Sequence, residues 1–371
     1  MAIRSGQSAV DAEHATKSVA TSTHPSCSIV PPYMLRRLAA QKEPRLLVVA
    51  RAAKEALVHV RSLQAARTAP PPAVKAGARP ARTGEPMRTI YDAESAEVLP
   101  GRLVRKESEP PTGDPAADEA YDGLGSTHAF YAAAFGRDSI DGAGLPLDAT
   151  VHFGHLYDNA FWDGKQMVFG DGDGEVFGRF TKSLSVIGHE LAHGVTQYTA
   201  GLNYRNQAGA INESMSDVFG ALVEQYARGQ STEEASWLIG EGLFTDKVQG
   251  VALRSMKAPG TAYDDDVLGK DPQPDSMDAY VRTTADNGGV HINSGIPNRA
   301  FCLVATAIGG KAWEAPGQIW FDALSGGSLP PACTFSRFAK ATIASAKELF
   351  GDDSHEHDAV RAAWETVKVK A

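Results

Sequence analysis

The segment His189-Glu190-Leu191-Ala192-His193 constrains this chain more than any other five residues. Histidines at i and i+4 share a face only on an α-helix, where both imidazoles can reach a single metal ion. Glu190 follows the first histidine, so its carboxylate can reach a water on that metal without being a ligand. Two surface histidines on an ordinary helix would carry the same five residues. A catalytic zinc site takes three protein ligands and leaves one position open for water. The third ligand should therefore come from a neighbouring helix. Asn212-Glu213-Ser214-Met215-Ser216-Asp217 opens a helical pattern over 211–228, and Glu213 there can complete the set His189, His193, Glu213. Asp217, one turn later on the same face, can accept a hydrogen bond from the far nitrogen of a ligand imidazole and orient it. Alone, Glu213 reads as an exposed helix residue; beside the two histidines, ligand count and spacing favour the metal.

Such a site needs a core to hold it. The chain has 371 residues, 43% hydrophobic and 22% charged, which excludes a wholly disordered or fibrous protein. At roughly 150 residues per domain the length accommodates two or three folded units. No apolar run approaches the roughly 18 residues of a membrane span. Cys27, Cys302 and Cys333 cannot make a disulfide framework; Cys302 and Cys333 either pair or stay as buried thiols. The net charge of −9 conceals an asymmetry. Residues 1–88 hold 14 Lys/Arg against 5 Asp/Glu, a net of +9, and residues 89–371 hold 22 against 40, a net of −18. A basic N-terminal block can be a nucleic-acid arm. Here its charges are spread through a helical pattern with no aromatic platform beside them, so no nucleic-acid partner is expected. A basic segment made to lie on an acidic core is the better reading.

Residues 1–28 are rich in Ser, Thr and Ala, the composition of a disordered segment, and lack the 7–15-residue apolar stretch of a secretory signal. Pro31-Pro32-Tyr33 then leads into a helical pattern in which Leu46, Ala50, Ala53, Leu57 and Val60 share a face. Residues 68–86, with Pro-Pro-Pro, Ala, Gly and scattered Arg, read as an exposed, protease-sensitive linker. From Thr89 to about Gly178 the pattern is of short β-like pieces broken by Gly/Asp turns. From about Lys182 onward helical patterns dominate, at 183–199, 211–228, 295–308 and 335–349. Strand-rich first and helix-rich second predicts an α+β arrangement, and no internal repeat interrupts it.

With these motifs in place, the sequence resembles the thermolysin-like neutral zinc metalloproteases. His189-Glu190-Leu191-Ala192-His193-Gly194-Val195-Thr196 matches that family's zinc helix, and Asn212-Glu213 through Asp217 its third-ligand segment. Asn159-Ala160-Phe161-Trp162 is similar to its substrate-edge strand, and Asp286-Asn287-Gly288-Gly289-Val290-His291-Ile292-Asn293-Ser294-Gly295 to the segment carrying its second catalytic histidine. The four motifs stand in family order, and the resemblance covers about residues 89–371. Val30-Pro31-Pro32-Tyr33-Met34-Leu35 further resembles the short pro-segment of the protealysin branch. The fold so implied has two lobes, a β-rich N-terminal lobe and a mainly helical C-terminal lobe with the zinc cleft between them, after a short helical pro-segment. The expected divisions are 1–88 for disordered N-terminus, pro-segment and linker, 89–198 for the first lobe with the zinc helix, and 199–371 for the second.

The resemblance also implies roles. One catalytic Zn2+ is held by His189, His193 and Glu213, Glu190 moves the proton of the attacking water, and His291 with Tyr204 stabilises the oxyanion. Asp286 orients His291. Asn159 and Ala160 bind an extended peptide substrate at a strand edge, and Arg254 takes its carbonyl on the leaving-group side. Phe177, Phe180, Val186, Ile239, Leu243 and Leu253 match the lining of the primed-side pocket. All six are apolar, so cleavage before a bulky hydrophobic residue is expected; a plain core role would give them the same character. Ser185, Ser236 and Leu238 replace expected carboxylates beside Glu224 and Glu241. That leaves too few oxygens for the family's double calcium site, since calcium takes six to eight. Gly170-Asp171-Gly172-Asp173-Gly174 reads as a turn, and His355-Glu356-His357 as a solvated helix start. Pro31, Pro32 and Tyr33 are expected to block the cleft. Cys27 is a candidate to reach the open zinc position, since a thiolate is a good zinc ligand.

The reading is a zinc endopeptidase made as a self-inhibited, autoprocessed precursor, acting on proteins and peptides, inhibited by its own pro-segment, and monomeric. A catalytically silent peptide-binding relative would have no need of Glu190, His291 and Tyr204. A zinc hydrolase of non-peptide substrates would have none of the Asn159-Ala160 edge and Arg254. The family is commonly secreted; without a recognisable signal, cytoplasmic residence or unconventional export stay open.

Overall fold

The computed structural model describes residues 28–66 and 84–371. Cys27, the Pro-rich stretch 67–83 and the Val60 side chain lie outside the described residues. Pro32 opens α1 (Pro32–Ala39) at the first helical position, where a missing N–H leaves no bond unmade. That helix buries Met34, Leu35 and Leu38. A short turn leads into α2 (Leu47–Ala66), where Ala50 and Ala53, with Leu46 just before, are buried.

The short apolar pieces that follow pair into one sheet. Strands β1 (Arg88–Asp92) and β2 (Arg102–Lys106) are antiparallel, with an irregularity between Ile90 and Tyr91. After them comes α3 (Pro115–Phe135). Strands β3 (Leu147–Val151), β4 (Ala160–Trp162) and β5 (Met167–Phe169) complete the sheet in the order β2-β1-β3-β5-β4. β1, β3 and β5 run parallel, and β4 is antiparallel to β5 at the edge. An unpaired edge offers free N–H and C=O groups. Here the N-terminal segment takes them, through an antiparallel bridge between Ser28 and Phe161.

Helix α3 corrects the expectation of β-like pieces throughout 89–178. Its ends carry ordinary signals: Asp114 accepts from the Ala116 N–H, Pro115 follows, and Gly136 closes the helix at φ +60°. Its interior Gly123 is a contact rather than a break. A Cβ there would stand 2.3 Å from Ile187 Cδ1, so the glycine lets α3 press against the next helix.

That helix is α4 (Leu184–Gln197), buried continuously from Ser185 to Thr196. It crosses α5 (Asn206–Arg228), which begins five residues before the predicted start at 211. The crossing is close, since a Cβ on Gly220 would lie 2.4 Å from Ser185 O and 3.0 Å from His189 N. Two small hairpins follow, β6 (Leu238–Ile239) with β7 (Arg254–Ser255), and β8 (Asp264–Asp265) with β9 (Gly269–Lys270). The remainder is helical: α6 (Asp286–Asn293), α7 (Gly295–Ile308), α8 (Ala315–Ser325), α9 (Phe335–Phe350) and α10 (His355–Thr366). Trp320 of α8 and Trp364 of α10 stack in the core of this half. His355 opens α10, but His357 is buried and its ring bonds Asp352 O, so the solvated-start reading fails for that residue. Cys302 and Cys333 are unpaired buried thiols. Among the described residues no helix is long and apolar enough to cross a membrane.

Candidate active site

Because α4 and α5 cross so closely, His189 and His193 from one helix face Glu213 from the other. The two Nε2 atoms lie 3.1 Å apart, and Glu213 oxygens lie 3.7 Å from His189 Nε2 and 3.6 Å from His193 Nε2. Zinc bonds of about 2.1 Å in a tetrahedron set ligand atoms about 3.4 Å apart, so this spacing fits. The hydrogen bonds behind the rings argue the same. His189 Nδ1 lies 2.8 Å from Asp217 Oδ1, and His193 Nδ1 lies 2.8 Å from Asn212 Oδ1 and 3.0 Å from Ser216 Oγ. These partners put the protons on Nδ1, which turns two Nε2 lone pairs toward each other and toward a carboxylate. A cation held among them reconciles them. Burial drives the His193 pKa down to about 4, keeping it neutral as a ligand must be. Among the described residues these three form the one cluster of at least three metal-ligating groups.

Glu190 is fully buried beside them, and its Oε2 accepts from the Trp162 N–H of β4 at 3.0 Å while Oε1 has no hydrogen-bond partner. Burial, then the charge of Glu213, raises its pKa well above the usual carboxyl range. Glu213 itself is opposed by burial, but the imidazoles of His291, His193 and His189 hold it down at about 2.

The segment Asp286–Gly289 is not helical in its dihedrals. Asp286, Asn287, Gly288 and Gly289 all have φ between +52° and +91°, a run of left-handed residues that two glycines make affordable. The turn brings Asp286 beneath His291, where Oδ2 accepts the His291 N–H at 3.0 Å and Oδ1 lies 2.7 Å from Nδ1. Burial works against a charged His291, yet Asp286 and Glu213 outweigh it and raise its pKa to about 9. Its Nε2 lies 3.5 Å from Glu213 Oε2 and 3.2 Å from the Tyr204 hydroxyl, which donates to Glu213 Oε1.

Arg254 on β7 is fully buried against Asp217 of α5, with Nη2 2.8 Å from Oδ1 and Nε 2.9 Å from Oδ2. Asp217 thus joins His189, Arg254 and Asn298, whose Nδ2 donates at 2.8 Å. The Arg254 Nη1 donates to Ile29 O at 3.2 Å, Ile29 N–H to Ala160 O at 3.1 Å, and Val30 N–H to Asn159 Oδ1 at 3.0 Å. Phe177, Phe180, Val186, Ile239, Leu243 and Leu253 are all buried, as are Ile29 and Val30. Pro31 is buried, and the Tyr33 hydroxyl lies 3.5 Å from that of Tyr263. Where calcium carboxylates were expected, Ser185 Oγ accepts the Gly240 N–H, and Glu224 pairs with Arg228 at 2.7 Å. Sequence reasoning quoted Asn212 and Ser216 within the third-ligand segment but gave them no role, and it missed Asn298, whose position carries no motif. It named Val30 only as the start of the Pro-Pro-Tyr element and did not name Ile29 beside it.

Family models describing the thermolysin metallopeptidase catalytic domain and its alpha-helical domain match residues 82–197 and 200–369. This chain belongs to the thermolysin metallopeptidase family. A solved relative, the precursor of protealysin, a metalloproteinase from Serratia proteamaculans, superposes with a TM-score of 0.85 at 50% identity, covering 92% of this chain and 99% of that one. An extracellular metalloprotease of Pectobacterium carotovorum subsp. carotovorum is 51% identical over 351 residues, 94% of this chain and 98% of its own length. Protease PrtS of Photorhabdus sp. (strain Az29) is 51% identical over 285 residues, 76% of each. The thermolysin metallopeptidase described here is a protealysin-type zinc endopeptidase made as a precursor, and its fold is the α+β one that the sequence predicted.

Proposed function

We propose that His189, His193 and Glu213 hold the zinc and that Glu190 is the general base of peptide hydrolysis. The convergence of two imidazole lone pairs and one carboxylate beside a buried second carboxylate carries this reading. Zinc, when bound, supplies a Lewis acid that acidifies a water and polarises a carbonyl. Glu190 takes a proton at Oε1, the oxygen without a partner, while the Trp162 N–H steadies Oε2; it then passes that proton to the leaving nitrogen. His291, charged through Asp286, and the Tyr204 hydroxyl donate to the oxyanion, each worth a few kcal/mol. Asp217 fixes His189, as Asn212 and Ser216 fix His193. Asn159, Ala160 and Arg254 hold the substrate main chain on the leaving-group side. The apolar pocket of Phe177, Phe180, Val186, Ile239, Leu243 and Leu253 selects a bulky hydrophobic residue just after the cut.

The segment through Ile29, Val30, Pro31, Pro32 and Tyr33 lies on those same substrate groups and keeps the precursor latent until the chain cuts itself near the Pro-rich linker. The division into 1–88, 89–198 and 199–371 follows that logic. Latency through Cys27 is part of the proposal, tested by comparing Cys27→Ser with the parent: equal latency and zinc content sink it. The family's double calcium site is not expected here, because Ser185, Ser236 and Leu238 replace its carboxylates, a reading supported by the Arg228 ion pair on Glu224. The chain is taken to act as a monomer, and the extracellular relative supports export. The decisive experiment incubates purified protein with casein or a blocked Gly-Leu amide, with and without a zinc chelator. Cleavage should require zinc, and Glu190→Ala should slow cleavage by about 10²–10⁴-fold and leave no self-processing detectable on the parent's timescale. Normal self-processing by that variant would sink the maturation claim.

A further inference from the structure

The main chain of Ser28–Val30 lies along β4 with one polarity and one register. Val30 is held at Asn159, Ile29 at Ala160, and Ser28 bridges Phe161 in the antiparallel sense. The next donor along that edge, the Trp162 N–H, gives to Glu190 Oε2. The proposed base therefore stands beside the docked chain just N-terminal of Ile29. A planar trans peptide points its N–H and C=O in opposite directions. With the Ile29 N–H turned to Ala160 O, the Ser28 carbonyl faces away from β4. One residue further on, Arg254 grips the Ile29 carbonyl and ties it through Asp217 to the ligand His189. Ile29 is also a fully buried apolar residue, the kind that the proposed specificity asks for after a cut.

We infer that the Ser28–Ile29 peptide bond is a cleavage site of this enzyme, hydrolysed in its own cleft while the pro-segment is docked. The inference rests on the peptidase reading above and adds a defined bond to it, separate from the cut near the linker. Water adds at the Ser28 carbonyl carbon and the bond to the Ile29 nitrogen breaks. Ser28 becomes a C-terminal carboxylate, and Ile29 takes the relayed proton as a new N-terminal ammonium. The nick does not undock the inhibitor. Residues from Ile29 onward stay on the leaving-group side, held by buried Met34, Leu35 and Leu38 and by Arg37, whose guanidinium donates to the carbonyls of Val267 and Asp266 at 3.1 and 3.2 Å. Latency through these contacts and cleavage at this bond are thus compatible, whereas a Cys27 thiolate on the open zinc position would exclude the water that this cut needs.

The test follows zinc-loaded full-length protein by N-terminal sequencing and intact mass. A chain beginning at Ile29 is expected, absent with chelator and absent in Glu190→Ala. Ile29→Asp should lose this cut and keep the linker cut. Because that variant can undock the pro-segment, mature enzyme is also given a synthetic peptide of residues 24–33, which it should cut before Ile29. If precursor and peptide both stay whole at Ser28–Ile29, or are cut first elsewhere, while casein is hydrolysed, the inference is overturned and the peptidase reading stands. Casein left whole by the mature enzyme would instead overturn the peptidase reading itself.

Discussion

His152 sits at the end of β3 with φ +53°, a conformation costly for a residue with a Cβ unless its surroundings impose it. Two carboxylates do so: Nδ1 lies 2.8 Å from Asp171 and Nε2 2.8 Å from Asp114, the N-cap of α3. The hydrogen bond to Asp171, opposed by burial and helped by Asp114, raises its pKa to about 9. The raised value means that charged His152 stabilises the fold fully below the unfolded pKa of about 6.5, and that this contribution is lost as pH rises through about 9. Solvent around the partly exposed trio holds the effect to about 1 kcal/mol. His152→Gln, in a Glu190→Ala background that prevents self-digestion, should lower urea stability by about that much at pH 6 and by much less at pH 10. Glu190→Ala itself should reduce peptide turnover by about 10²–10⁴-fold with zinc content unchanged, measured by metal analysis beside the rate. The positions of His189, His193 and Glu213 were legible in the sequence because ligand chemistry restricts both residue type and helical spacing. Asn212, Ser216 and Asn298 were not. An Asn or Ser orients a ring only through where the chain has placed it, and many other polar residues would look the same.

Among the elements, the α4–α5 crossing makes the metal site, since it alone sets the separation of Glu213 from the two histidines. Gly220 permits that approach. Gly220→Ala would push a methyl group into Ser185 O and His189 N and should cost about 1–3 kcal/mol, lowering the melting temperature. Zinc affinity should fall too, read by chelator competition, because the displaced backbone carries a ligand. The same physics explains why α3 escaped the sequence reading. Its stretch Asp122-Gly123-Leu124-Gly125-Ser126 has the residues of a turn, and nothing local says that Gly123 is small because Ile187 lies against it. Helices with one wet face were easier to find. α4 is buried on every side, so its histidine spacing identified it more surely than any apolar stripe.

For the whole molecule, the opposed charges of the N-terminal block and the remainder suggest electrostatic docking, but the described contacts are mostly apolar. Arg45 and Arg51 pair within the segment, with Glu43 and Glu55, and Arg37 bonds backbone carbonyls. The buried surface of Ile29, Val30, Met34, Leu35 and Leu38 does more. Leu35→Ala should weaken docking by about 2–5 kcal/mol. It should therefore raise casein hydrolysis by an unprocessed precursor with a linker made resistant to cleavage. Added salt should change that latency far less than the substitution does, since screening acts on charges and not on apolar contact.

Residue chemistry and spacing by themselves pointed to the His189, His193 and Glu213 cluster and to the α+β class, and the inhibitory segment entered only through the resemblance to the protealysin branch. The first two follow from local rules: the helical repeat, the coordination number of zinc and the change of pattern from strand to helix. Tertiary structure alone decided that Ile29 and Val30 lie on the β4 edge in one polarity and register. It also decided that Asp217 joins His189 to Arg254, and that left-handed turn residues set Asp286 beneath His291. Those facts depend on which distant segments meet, and strand register and buried ion pairs are settled by three-dimensional packing that no local pattern encodes.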